Sequence, residues 1–215
     1  MIVKICGLTG ASDAATANDA RPDWAGVVLH GPSRRCVDAE TASAIRRALD
    51  PSVPLVGVTV DRDPALLGRM VDDGTIDMVQ IHANPDEAYF RAVRGLGVPV
   101  VRAYIVRSRE DVEAAASSDA DYVMVDAGAG SGRAFDWSLM EDAGFGYILS
   151  GGLDPGNVAE TVRRLRPMGV DVSSGVEVGG RKDPARMRAF VDAARSARYP
   201  FDLCRSLIRY SIPFG

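Results

Sequence analysis

An aspartate, Asp126, closes the short apolar run Tyr122–Val125, and three glycines follow it at Gly128, Gly130 and Gly132. Such a run reads as a buried strand. A carboxylate at a strand end, followed by a loop of unhindered N–H groups, can act as an acid beside an anion cradle. The same residues also describe a glycine-rich surface turn carrying a solvated aspartate, and the stretch alone leaves both readings open. Lys4 and Cys6 stand two residues apart in another apolar run at the start of the chain. An ammonium close to a thiol favours the thiolate, which makes Cys6 a candidate base. By residue type alone, Cys6 equally suits an inert buried core position.

Two further clusters, Ser150-Gly151-Gly152 and Ser173-Ser174-Gly175, each follow a short apolar run. Singly they read as tight turns. As a pair after the last two strands of a barrel they match the place where such folds bind phosphate, with help from a helix N-terminus.

The elements that must position these residues form a repeating pattern. Short β-branched runs recur at Ile2–Cys6, Gly26–His30, Leu55–Val60, Met78–His82, Val98–Val106, Tyr122–Asp126, Tyr147–Ser150 and Val170–Ser173. Between them lie helical stretches such as Ala39–Leu49, Glu110–Ala116, Asn157–Leu165 and Pro184–Arg195. Eight strand–helix units in a chain of this length predict a single (β/α)₈ TIM barrel of the α/β class, with a doubly wound open sheet as the alternative. Side chains alternate faces along a strand. Val3 and Ile5 therefore oppose Lys4 and Cys6, Val79 and Ile81 oppose Gln80 and His82, Val123 and Val125 oppose Met124 and Asp126, and Val170 and Val172 oppose Asp171 and Ser173. One face of each strand is aliphatic, and the other turns polar toward its C-terminal end. Buried polar groups are costly when unpaired, so the shared bias predicts that Lys4, Cys6, Gln80, His82, Asp126 and Asp171 line a catalytic mouth.

Bulk properties narrow the partners. The 215 residues are 47% hydrophobic and 25% charged, values of a globular domain, and the formal net charge is −4. That sign argues against nucleic acid or an anionic membrane as the main partner. The three cysteines, Cys6, Cys36 and Cys204, form neither a disulfide framework nor a zinc pattern and suit a reducing cytosol. The N-terminus lacks the pattern of a signal peptide, and no apolar run reaches the length of a membrane span. The expectation is a cytoplasmic protein, monomer or homodimer, acting on a small molecule.

Several motifs stand in a telling order. They are Lys4-Ile5-Cys6-Gly7-Leu8-Thr9; Gln80-Ile81-His82; Asp126 with Ala129-Gly130-Ser131-Gly132-Arg133-Ala134-Phe135-Asp136-Trp137; Ser150-Gly151-Gly152-Leu153-Asp154-Pro155-Gly156-Asn157-Val158; Gly169 through Glu177; and Lys182-Asp183. From about Ile2 to Ala194 the chain resembles the phosphoribosylanthranilate isomerases of tryptophan biosynthesis. The resemblance implies a (β/α)₈ barrel that rearranges the aminoaldose N-(5-phosphoribosyl)anthranilate to its aminoketose, with no cofactor and no metal. It implies Cys6 as general base and Asp126 as general acid. Arg35, in the loop after the second strand, is then expected to face the anthranilate carboxylate. Lys4, Gln80, His82 and Asp171 are expected at the substrate, and Gly130, Ser131, Gly132, Gly151, Gly152, Ser173, Ser174 and Gly175 at its phosphate. For His82 the reading leaves two roles, a satisfied mouth histidine or a substrate contact.

The residue types fit that chemistry independently. Ring opening needs a proton on the ribose ring oxygen, and the resulting Schiff base then loses a proton from C2; a carboxylic acid and a thiolate on opposite sides can do both. Asp126 would need a raised pKa and Cys6 a lowered one. The chain departs from the resemblance at His30-Gly31-Pro32, Cys36, Ala83 and Ala129. Alternatives are a related sugar-phosphate aminoaldose isomerase with a shifted substrate, against which Cys6 speaks, and a non-catalytic phosphate-ligand-binding barrel. The barrel is expected over residues 1–195. The extension 196–215 has no counterpart in the resemblance, and it is read as an added element, a partner contact or a flexible tail.

Overall fold

The structure is a computed structural model and describes residues 1–29, 31, 33–82, 86–126 and 137–197. The expected cradle residues Gly130, Ser131 and Gly132, the departures His30, Pro32, Ala83 and Ala129, and the tail beyond 197 lie outside the described residues. Eight parallel strands close a barrel in sequence order: β1 (Ile2–Cys6), β2 (Trp24–Val28), β3 (Leu55–Thr59), β4 (Met78–His82), β5 (Val100–Ile105), β6 (Tyr122–Asp126), β7 (Ile148–Ser150) and β8 (Gly169–Val172), with β8 hydrogen-bonded back to β1. The helices are α1 (Ala11–Ala20), α2 (Ala39–Ala48), α3 (Pro64–Asp72), α4 (Glu87–Arg94), α5 (Arg109–Ala116), α6 (Val158–Leu165) and α7 (Pro184–Ser196). After β6 the described residues hold a 3₁₀ turn, Trp137–Met140, instead of a helix. A short ribbon of β9 (Glu177–Val178) and β10 (Arg181–Lys182) follows β8.

The strand faces fall as the alternation requires. Val3, Ile5, Val79, Ile81, Val123, Val125, Val170 and Val172 pack outward against the helices in one core. Cys6, Trp24, Val56, Val58, Met78, Val101, Ala103, Met124 and Ile148 fill the barrel. Helix starts are fixed locally. Asp38, Asp63, Asp86, Ser108 and Asp183 each accept a backbone N–H at the first turn of α2, α3, α4, α5 and α7, a cap that contributes about 0.5–2 kcal/mol apiece. Among the described residues, no helix is long and apolar enough to cross a membrane.

The end of the barrel opposite the mouth is pinned by a repeated device. Asp23, Asp77 and Asp121, each just before an even-numbered strand, accept the N–H of Val3, Leu55 and Val100 on the preceding strand at 2.7–2.8 Å. Trp24 meets Tyr122 edge-on there, with ring centroids 4.9 Å apart. These contacts explain why β2 runs Trp24–Val28 and not Gly26–His30: Lys4 pairs with Trp24 and Cys6 with Gly26. Gly169 sits where β8 closes on β1. A Cβ there would lie 2.8 Å from Ile2 Cβ and 2.9 Å from the Ile2 carbonyl oxygen. Gly169→Ala is expected to lower stability by about 1–3 kcal/mol through overpacking. A reduced urea midpoint checks it, and an unchanged midpoint would show that the closure can shift to make room.

Candidate active site

Lys4 and Cys6 point into the barrel from β1. Gly26, opposite Cys6 on β2, makes this possible: a Cβ there would lie 3.0 Å from Cys6 Sγ and 3.1 Å from Lys4 Nζ. Lys4 is fully buried and donates to Asp171 Oδ1 at 2.9 Å, while Ser150 Oγ donates to Asp171 Oδ2 at 3.1 Å. Lys4 and Asp171, expected as substrate contacts, are thus bonded to each other beneath the thiol. Burial would lower the Lys4 amine, but the Asp171 and Cys6 charges outweigh it and hold the amine above its ordinary value. Burial pushes the Cys6 thiol up, Lys4 and Lys182 pull it down, and Asp171 pushes it up. The net direction is upward, the reverse of the expected lowering. Much of the Lys4 field is offset by Asp171, and what remains does not overcome burial.

The candidate acid stands on the other side of the mouth. Asp126 ends β6, and its Oδ2 lies 3.2 Å from His82 Nε2 at the end of β4. Gln80, two residues below His82 on the same face, is 2% exposed. Its Nε2 donates to the Met124 sulfur at 3.3 Å and lies 3.5 Å from His82 Nδ1. Its Oε1 is buried with no hydrogen-bond partner among the described residues. His82 thus stands between Gln80 and the candidate acid.

The loops after β7 and β8 carry the residues expected at the phosphate. Gly151 and Gly152 take φ of 90° and 70°, a conformation that a side chain would strain. Asp154 accepts the N–H groups of Gly156 and Asn157, and Asn157 Nδ2 donates to the Gly152 carbonyl at 2.9 Å, so the chain turns tightly into α6. Ser150 directs its hydroxyl inward to Asp171 and not into this loop. Gly175 packs flush on the β7 loop, where a Cβ would collide with the Leu153 carbonyl.

Sequence reading missed two charged residues beside this loop. Val178-Gly179-Gly180-Arg181 is a two-glycine hairpin, both glycines at positive φ, and it sets Glu177 directly opposite Lys182. Lys182 Nζ donates to the Ser173 carbonyl at 2.9 Å and to Glu177 Oε1 at 3.0 Å. Arg35 packs across Gly7, which has no side chain to exclude it, and grips Glu177 with two bonds: Nε to Oε1 at 2.6 Å and Nη2 to Oε2 at 2.9 Å. Arg34 also reaches Glu177 Oε2 at 2.7 Å, although 60% of its side chain is exposed. Burial would raise Glu177, but hydrogen bonds from Arg35 and Lys182 and their charges hold it below the ordinary carboxylate value. The glycine–glycine dipeptide between Glu177 and Lys182 was the available signal, since it specifies a hairpin.

Comparison with known proteins follows the same lines. The family model for N-(5'-phosphoribosyl)anthranilate (PRA) isomerase matches residues 3–193. The chain is 40% identical over 205 residues to an N-(5'-phosphoribosyl)anthranilate isomerase of Desulforudis audaxviator, covering 91% of this chain and 98% of that one. Its fold is similar to the crystal structure of phosphoribosyl anthranilate isomerase from Thermotoga maritima, with TM-score 0.81 and 33% identity, over 91% of this chain and all of that one. It is also similar, with TM-score 0.79, 32% identity and the same coverage of both chains, to a phosphoribosyl anthranilate isomerase in complex with reduced 1-(o-carboxyphenylamino)-1-deoxyribulose 5-phosphate.

Proposed function

We propose a catalytic reading of this site from one premise: the chain belongs to the N-(5'-phosphoribosyl)anthranilate isomerase family. It is an isomerase of L-tryptophan biosynthesis that converts N-(5'-phosphoribosyl)anthranilate to 1-(2-carboxyphenylamino)-1-deoxyribulose 5-phosphate. In our reading Asp126 protonates the ribose ring oxygen, and the C1–O bond breaks with its electron pair passing to oxygen. The anthranilate nitrogen supplies the pair that forms the Schiff base. Cys6, as thiolate, then takes the C2 proton, and the enol that results becomes the ketone as its C2 hydroxyl loses a proton and C1 gains one. The steps move protons and rearrange electron pairs within the substrate, and they call for no cofactor or metal.

The observation that carries this reading is the order of strands at the mouth. β7 and β8, with their glycine loops, lie between β6, which bears Asp126, and β1, which bears Cys6. A phosphate anchored at Gly151, Gly152 and Ser173–Gly175 would hold the sugar between acid and base. Lys182 adds a cation beside Ser173. Lys4 and Asp171 act through Cys6 instead of touching substrate. The reading includes a cytoplasmic protein, monomer or homodimer, that engages neither nucleic acid nor membrane. Isomerase assay of the purified chain, with restoration of tryptophan-independent growth in a strain lacking the enzyme, tests it. Turnover only of the related histidine-pathway aminoaldose would replace it.

Arg35 is the reader of the anthranilate carboxylate in this account, because a guanidinium matches a planar carboxylate with two bonds. Glu177 already makes such a pair with it. Arg35→Ala is expected to lose about 10- to 150-fold in kcat/KM on the natural substrate, the equivalent of about 1.5–3 kcal/mol. The loss should be far smaller on an analogue whose ring lacks the carboxylate. Equal losses on both substrates would mean that Arg35 serves the Glu177 contact and does not read the ligand.

A further inference from the structure

We propose that His82 is the proton store for Asp126, recharging the acid between turnovers, and that Gln80 adapts to each protonation state of the ring. The proposal rests on the reading of Asp126 as general acid. An acid must carry its proton when substrate arrives, and an ordinary aspartate at neutral pH does not. Imidazole is the side chain that exchanges protons near neutrality. His82 Nε2 lies 3.2 Å from Asp126 Oδ2, within reach for direct transfer, and its side chain is 34% exposed and so open to water. In the step, the doubly protonated ring passes the Nε2 proton to Asp126. Asp126 passes it to the ribose ring oxygen as the C1–O bond breaks. The ring is left neutral with its proton on Nδ1; Nε2 then takes a new proton from water and Nδ1 gives its own up, so the resting ring again carries its proton on Nε2, and Nδ1 is protonated anew before the next transfer.

Gln80 carries the second half of the argument. When the proton leaves Nδ1, that nitrogen needs a donor; when the proton is present, it needs an acceptor. A primary amide supplies either by a half-turn about its last bond. Gln80 Nε2 faces Nδ1 at 3.5 Å, and the carbonyl oxygen on the same amide is buried without a partner among the described residues. A buried unpaired carbonyl is costly, and the half-turn would set it against Nδ1–H. An amide that served a single ring state could bond both of its ends permanently. This one faces a ring whose demand alternates.

The test uses His82→Gln, His82→Ala and Asp126→Asn in the full chain, each with its melting temperature. Glutamine keeps an N–H donor toward Asp126 but cannot take up and release a proton. His82→Gln and His82→Ala are expected to lose roughly 100-fold in kcat, the low end of general acid–base effects, with KM nearly unchanged. Added imidazole should raise kcat of His82→Ala in proportion to its concentration and leave Asp126→Asn unmoved. Wild-type kcat in His82→Gln would overturn the proposal, because a simple donor would then suffice. So would a folded His82→Ala that loses activity without any response to imidazole. Wild-type turnover in Asp126→Asn would instead remove the acid reading beneath it, a separate result.

Discussion

Cys6→Ser is expected to lower kcat by about 10²–10⁴-fold while KM changes little, and Asp126→Asn to do the same. Serine keeps the shape and burial of the side chain, but its hydroxyl does not ionise near neutrality, so C2 deprotonation loses its base. Asparagine keeps the geometry beside His82 but has no acidic proton to give. The Cys6 prediction has a condition attached. Burial outweighs Lys4 and holds the thiol above its ordinary value of 9.0. Alkylation of Cys6 in the ligand-free protein should accordingly be slow at pH 7 and accelerate only above about pH 9, whereas exposed Cys36 offers a comparison within the same chain. Fast alkylation of Cys6 at neutral pH would mean the thiolate is preformed. Near-normal turnover in either variant would remove that residue from the mechanism.

The barrel and the sides of its strands were legible because alternation is local: Val3 against Lys4, or Val123 against Met124, needs only a period of two. The start of β2 was not, because hydrogen bonds to β1 fix it, and neither Trp24 nor Ala25 announces that pairing. The glycine loops after β7 and β8 could be located, since a turn signal is also local. Partnerships were a different matter. Lys4 and Asp171 are 167 residues apart, and Arg35 and Glu177 are 142 apart. Residue types marked each as chemically significant without saying which charges would neutralise which. That gap explains the reversed expectation for Cys6. A lysine two residues away reads as a free cation until the fold hands it a buried aspartate. It also explains why His82 read as either a satisfied mouth histidine or a substrate contact, when the structure sets it against the candidate acid Asp126.

Asp171→Asn is expected to lower stability by about 3–5 kcal/mol, since it leaves the fully buried Lys4 ammonium without its counter-charge. The double variant Lys4→Met/Asp171→Asn should recover most of that loss, because buried ion pairs replaced by packed apolar groups are often neutral in stability. Activity should not recover with it, as Cys6 then lacks the cation that pulls its thiol toward ionisation. This split separates the pair's two roles, and urea unfolding together with steady-state kinetics reads both. The pH dependence has a definite sign. The Lys4 amine is held above its ordinary 10.5 in the folded chain, with Asp171 and Cys6 outweighing burial. A group raised on folding stabilises the fold fully below its unfolded value and loses that contribution as pH rises through the folded one. Cys6, raised from 9.0, acts in the same direction from a lower pH. The wild type should therefore lose stability from about pH 9 upward and continue to lose it beyond 10.5, while the double variant lacks the component above 10.5. Parallel alkaline losses in both proteins, or a double variant no more stable than Asp171→Asn, would mean that something other than the Lys4–Asp171 pair governs this end of the barrel.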